Sequence, residues 1–129
     1  MSDNFKFLQE ILPLEEARSL SSLGKIGIEK ESLRILGHKI SATDHPKNLG
    51  SSLCNSYITT DFSEALMEFV TNPEEKIYDS LSHLDDIQHF VYSKIGNEFL
   101  WPLSMPPFIS SDKEIPIAKY KSGVTVFPV

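Results

Sequence analysis

The chain has 129 residues, with eighteen acidic against twelve basic side chains and a formal net charge of -6. That length predicts one compact domain, and a net acidic surface opposes the phosphate neutralisation that nucleic-acid binding requires. Apolar residues make up 40%, but no apolar run approaches the roughly 18 residues of a membrane span, so the composition is that of a soluble globular protein without a membrane partner.

The opening Met1-Ser2-Asp3-Asn4-Phe5-Lys6 lacks a basic region followed by an apolar stretch and a small-residue cleavage site. The expected location is the cytoplasm. From Asn4, the residues Phe5, Leu8, Ile11 and Leu12 recur at helical spacing until Pro13 interrupts them. A second helical piece is predicted from Leu14 to about Ser21, with Glu15 and Glu16 at its positive end and Gly24 as its stop.

Lys25 to Leu36 changes character. Ile26 and Ile28 alternate with Gly27 and Glu29, which predicts a strand, and Glu29 and Glu31 then share a face with Leu33 and Ile35. Gly37-His38 makes a tight turn into a short return strand near Lys39 to Ser41, and Thr43, Asp44, Pro46, Asn48 and Gly50 mark a loop. Cys54, the only cysteine, excludes an internal disulfide and, without a nucleophile context, reads as a small semi-buried side chain.

Tyr57 to Val70 fits two periods. A helix would align Phe62, Ala65, Leu66, Phe69 and Val70, whereas a strand would put Glu64, Leu66 and Glu68 on one face. After Asn72-Pro73, the stepping of Ile77, Leu81, Leu84, Ile87, Val91 and Ile95 up to Gly96 predicts one helix of about five turns. The prolines of Trp101-Pro102-Leu103-Ser104-Met105-Pro106-Pro107 and Ile115-Pro116 then hold the last quarter as loop or extended chain. The Trp101 run fits either a binding loop or a rigid packed crossing.

Among residues that could carry chemistry, Glu29-Lys30-Glu31 stands out, because carboxylates two apart on a strand point the same way about 6 to 7 Å apart. Magnesium favours such oxygen ligands together with substrate phosphates, and Asp61, Glu64 and Glu68 could supply a second acidic strand. The same spacing also describes the solvated face of an amphipathic strand. His83 and His89 sit at or beyond the margin of the helix stripe, and His38 and His45 fall in turns, so the four histidines make no metal set.

Three segments together resemble the proteobacterial type of glutamate–cysteine ligase. They are Gly27-Ile28-Glu29-Lys30-Glu31-Ser32-Leu33-Arg34, then His45-Pro46-Lys47-Asn48-Leu49-Gly50-Ser51 with Ile58-Thr59-Thr60-Asp61-Phe62-Ser63-Glu64-Ala65-Leu66-Met67-Glu68-Phe69, and Trp101-Pro102-Leu103-Ser104-Met105-Pro106. The resemblance implies an α+β fold: part of a glutamine-synthetase-like antiparallel sheet with flanking helices, which makes Glu64 to Val70 strand. It implies a ligase using ATP and Mg2+ to join the side-chain carboxylate of glutamate to the amine of cysteine, the first step of glutathione synthesis. By position it makes Glu29, Glu31 and Glu68 metal ligands, with Asp61 in the same cluster, and it puts Phe62 at the border of the cysteine pocket.

Beyond Tyr120 the chain reads Lys121-Ser122-Gly123-Val124-Thr125-Val126-Phe127-Pro128-Val129, unlike the glycine, serine and asparagine continuation that the resemblance implies. Residues 1–120 are therefore expected to be the N-terminal part of the ligase catalytic domain, and 121–129 a tail foreign to the family, read from a shifted frame or a premature junction. Such a piece is expected to be inactive alone, with a complementing C-terminal chain as a possible partner. The alternative reading is a noncatalytic remnant or interaction module.

Overall fold

The computed structural model describes residues 15, 16, 19 and 22–119. Both helices expected before Gly24 lie largely outside these residues, as does the tail from Lys121, although Glu15, Glu16, Ser19 and Ser22 are helical. The elements that follow are β1 (Glu29–Leu36), β2 (Lys39–Ile40), β3 (Ile58–Thr60), β4 (Leu66–Val70), α1 (Ile77–Tyr92) and β5 (Phe99–Leu100).

Every strand pairing is antiparallel. The order is β2-β1-β4-β3, and β5 joins β1 at Arg34 and Ile35. The architecture is α+β, with α1 packed on one face of the sheet. β1 and β2 form a hairpin closed by Gly37-His38, where Gly37 has φ 64, a conformation that glycine adopts without a steric penalty.

Three boundaries differ from the sequence reading. β1 begins at Glu29 because Ile26 turns aside to exchange backbone hydrogen bonds with Glu74, its N–H donating at 2.7 Å and its carbonyl accepting at 2.9 Å. The ambiguous segment from Tyr57 is two strands, not one element. It folds back through a turn at Asp61 to Ala65, in which the Asp61 N–H donates to Leu66 O at 3.1 Å. The helix stops at Tyr92 and Gly96 takes φ 64 past it, yet Ile95 still reaches the core. Cys54 is exposed, not semi-buried, because its N–H closes a surface turn onto Ser51 O.

The core lies between the sheet and α1. Met67 and Phe69 of β4, with Ile58 of β3, meet Leu84, Ile87 and Val91 of α1, and Leu49, Ile95 and Leu100 close the edges. The alternation along β4 buries Met67 and Phe69 and leaves Leu66, Glu68 and Val70 half-buried on the other face.

A polar hub fixes the far end of β1. Arg34 is fully buried. Its guanidinium donates to Glu98 Oε2 at 2.7 Å, Thr43 Oγ1 at 2.8 Å, and the carbonyls of Thr43, Asp44 and Glu64 at 2.8, 3.2 and 2.8 Å. Glu98 also accepts from the Ser41 and Thr43 hydroxyls. Burial alone would push the Glu98 carboxyl up, but hydrogen bonds from Ser41 and Arg34, with the Arg34 charge and Thr43, outweigh it and hold the carboxyl below its usual range. His45 beside it donates its N–H to Glu64 Oε2 at 2.9 Å, and its ring Nδ1 bonds Thr60 Oγ1 at 2.8 Å. Burial and the Arg34 charge lower the pKa of that ring against the opposing pull of Glu64.

Two outcomes are expected. Phe69→Ala, which opens a cavity at a fully buried site, lowers unfolding free energy by about 3 to 5 kcal/mol in urea denaturation. Both titrating groups make the fold acid-sensitive. The His45 contribution declines as pH falls below its ordinary value near 6.5, and the Glu98 contribution is lost as pH falls through its depressed value, below the ordinary glutamate range. Glu98→Gln abolishes the second loss and lowers stability at pH 7 by about 3 kcal/mol; an unchanged midpoint at pH 7 would refute the role given to this pair.

Candidate functional site

The face of the sheet opposite α1 is acidic, and strand register makes it so. Glu31 pairs directly with Glu68, Glu29 pairs with Val70, and Glu68 also pairs with Thr59 on β3. Directly opposed residues on antiparallel strands project to the same face, so Glu29, Glu31 and Glu68 stand together there. The even positions of β1 hydrogen-bond toward β4, as the Arg34 N–H to Ala65 O bond of 2.7 Å shows. Glu31 and Glu68 therefore form a non-hydrogen-bonded pair, the geometry with the closer side chains. Asp61 follows Thr59 by two residues, at the end of β3.

Electrostatics confirms the grouping. Burial raises the Glu68 pKa first, and the carboxylates of Asp61, Glu29 and Glu31 raise it further. Among the described residues, however, no three Asp, Glu, His or Cys side chains close around a single point as a formed metal site. The four carboxylates interact without three of them converging on one point. The donor set is all oxygen, which suits magnesium chemically; the convergence of those donors is incomplete.

A cleft of about 640 Å³ borders the acidic strand. One wall is Glu29 to Leu33 with Leu66, and the other is the segment from Trp101 to Pro106. The Trp101 indole Nε1–H donates to Met105 O at 2.6 Å, which closes that segment into a bend, and the Trp101 N–H donates to Leu33 O at 2.8 Å, which ties the bend to β1. The Trp101 run thus lines the same cleft as the paired carboxylates. Lys30 points to the other face, where its ammonium bonds Ser32 Oγ and lies 5.9 Å from the Phe69 ring centroid. Burial lowers its pKa.

Glu64 and Phe62 part from the acidic group. The Glu64 carboxylate accepts from the His45 and Lys119 backbone amides instead. Phe62 is exposed beyond Asp61 and is absent from the lining of the cleft. Sequence reasoning missed the Arg34, Glu98, Ser41 and Thr43 hub and the His45 anchor. The signal for the first was present, because Lys30, Ser32 and Arg34 make the core-facing side of β1 polar, and a buried polar strand face requires partners.

A family model described as glutamate-cysteine ligase matches residues 9–125, and so runs past Tyr120. A glutamate–cysteine ligase of Alcanivorax borkumensis is 43% identical over 117 residues, covering 90% of this chain and 22% of that protein. One from Pseudomonas fluorescens Pf-5 is 47% identical over 110 residues, covering 83% and 21%. Among solved structures, a glutamate–cysteine ligase of Francisella tularensis in complex with AMP superposes with a TM-score of 0.70 at 34% identity, covering 74% of this chain and 20% of that one. A bifunctional glutathione synthetase of Pasteurella multocida gives 0.73 at 33% identity, covering 81% and 15%. The chain thus spans about a fifth of the length of the relatives it matches. With the acidic strand pair, the adjoining cleft and a family match over nine-tenths of its length, the chain belongs to the glutamate–cysteine ligase family.

Proposed function

We propose that the chain forms the metal-binding wall of an ATP-dependent ligase that joins the side-chain carboxylate of glutamate to the amine of cysteine. The observation that carries this reading is the Glu31 and Glu68 pair on one sheet face, with Glu29 two residues along and with the Glu68 pKa raised by burial and then by its acidic neighbours. Glu29, Glu31, Glu68 and Asp61 would hold Mg2+, and Phe62 would border the cysteine pocket. When bound, the metal supplies charge neutralisation between ATP phosphates and the attacking carboxylate. Glutamate takes the terminal phosphoryl group of ATP as an acyl phosphate, and the cysteine amine then displaces phosphate. The acidic wall orients and neutralises; it needs no protein nucleophile, and Cys54, exposed in its surface turn, has no part.

No helix among the described residues is long and apolar enough to cross a membrane, and the reading assigns the enzyme to the cytoplasm, where its co-substrate ATP is abundant. The rest of the site comes from sequence that the relatives carry beyond the matched fifth, in the same polypeptide or in a second, complementing chain.

Two measurements test the proposal. In a titration with Mn2+ as the probe for Mg2+, the chain binds, and Glu68→Gln and Glu31→Gln each weaken binding at least about tenfold, the effect of removing roughly 1.4 kcal/mol. Equal binding by all three proteins would refute the metal assignment. In a coupled assay with ATP, glutamate and cysteine, the 129 residues by themselves give no product, because an acyl-phosphate mechanism holds three reactants together and this wall supplies one side. Product formation that is lost in Glu29→Gln would show that the wall suffices.

A further inference from the structure

The turn that carries Asp61 and Phe62 makes few bonds of its own. Asp61 N–H donates to Leu66 O at 3.1 Å and Leu66 N–H to Ser63 O at 2.8 Å, which closes the reversal between β3 and β4 but leaves other backbone groups of the turn to find partners elsewhere. Segments distant in sequence supply them. Arg34 donates from its backbone to Ala65 O at 2.7 Å and from its guanidinium to Glu64 O at 2.8 Å. The segment 116–119 then runs along the turn: Pro116 O accepts from Glu64 N–H at 2.9 Å and from the Ser63 hydroxyl at 2.7 Å, and Ala118 N–H donates to Phe62 O at 3.0 Å.

Glu64 ties these segments together. It is only 6% exposed, and each oxygen of its carboxylate accepts a backbone amide, Oε2 that of His45 at 2.9 Å and Oε1 that of Lys119. A buried carboxylate needs donors, but these two come from chain 19 residues before it and 55 residues after it. His45 is itself fixed to the end of β3, its ring Nδ1 bonding Thr60 Oγ1 at 2.8 Å. Asp61 is the member of the acidic group that depends on this brace. Glu29, Glu31 and Glu68 are set by the β1–β4 ladder, whereas Asp61 lies past the last residue of β3, where the turn decides its place. After burial, the Asp61 charge is the foremost of those raising the Glu68 pKa, so a shift of the turn is felt at the acidic face.

We infer that Glu64 is a positioning residue: by bridging the His45 and Lys119 amides with the two oxygens of one carboxylate, it fixes the turn that holds Asp61 beside Glu68, and so sets the metal affinity of a face to which it does not itself belong. The inference deepens the functional reading and rests on it for the metal. The brace on the turn does not depend on metal binding. The chemistry is specific to glutamate. A glutamine offers one acceptor oxygen and one NH2 group, which sets a donor against a donor and leaves one of the two amides without a partner. An aspartate keeps the charge but is shorter by about one C–C bond, ~1.5 Å, and cannot reach both amides at hydrogen-bond distance.

Two readouts on the full 129-residue chain test this: hydrogen exchange at single amides, and titration with Mn2+ as the probe for Mg2+. In Glu64→Gln and in Glu64→Asp, the Asp61 and Ala118 amides exchange at least about tenfold faster, while the Lys30 and Ser32 amides of the β1–β4 ladder keep their protection, because the opening is local. Both variants weaken Mn2+ binding about fivefold, and neither weakens it further in an Asp61→Asn background, as an effect that passes through Asp61 requires. Glu64→Asp carries the comparison by itself if Glu64→Gln does not fold. Unchanged exchange at Asp61 and Ala118 overturns the brace. An equal rise at Lys30 and Ser32 makes Glu64 a general stabiliser of the fold and overturns the positioning role. So does a looser turn with unchanged Mn2+ affinity, and so does a loss of affinity in Glu64→Gln that Glu64→Asp does not share, which assigns the effect to charge and not to reach. If the unsubstituted chain binds no Mn2+, the functional reading fails instead, and the exchange rates alone decide whether Glu64 holds the turn.

Discussion

The β1–β4 register is the constraint on which the structure depends. Five consecutive pairs, from Glu29 with Val70 to Leu33 with Leu66, sort every side chain of two strands between core and acidic face. A slip of β4 by one residue would carry Glu68 under α1, away from Glu31, and turn Phe69 and Met67 outward. The hydrophobic core and the carboxylate pair therefore specify each other. Burying Phe69 is the same structural event as presenting Glu68, and a fold that satisfies the first cannot avoid the second.

Charge is handled in opposite ways at the two ends of β1. At the Arg34 end a single cation is sealed inside and surrounded by acceptors, so that Glu98, the adjacent Thr43 and Asp44 carbonyls and the Glu64 carbonyl, from three separate segments, are drawn to one point. A buried charge with that many partners is strongly destabilised by losing any of them, which makes it a clamp for chain segments far apart in sequence. At the Glu29 end, Glu31 and Glu68 oppose one another across the strand pair with Glu29 two residues along, so like charges gather beside the cleft. Crowded carboxylates of that kind are where a bound cation gains most from charge neutralisation.

Much of this was legible from residue order. The period of the apolar residues from Ile77 to Ile95 located α1, and the Glu29 and Glu31 alternation located the acidic edge of β1. Tyr57 to Val70 was not resolved by period, because two short strands joined by a turn at Asp61 to Ala65 present a mixed pattern that neither template describes. Glu64 looked equivalent to Glu68, but its place in the turn sends it toward the His45 and Lys119 amides. The Arg34 and Glu98 pairing spans 64 residues, a separation at which no local rule operates. Cys54 misled because residue type suggested burial, whereas the turn onto Ser51 put it at the surface.

The bend at Trp101 bears on the order in which such a protein is made. The indole holds Met105 through a local bond, four residues along, so that turn can form as soon as it leaves the ribosome. Once closed, it commits the adjoining chain to the wall of the cleft and removes the nearest candidate for the open edge of β1. Glu29 and Glu31 flank that edge, and like-charged carboxylates on neighbouring molecules discourage two nascent chains from zipping together there. The residues proposed to hold metal serve, on this view, as gatekeepers during synthesis.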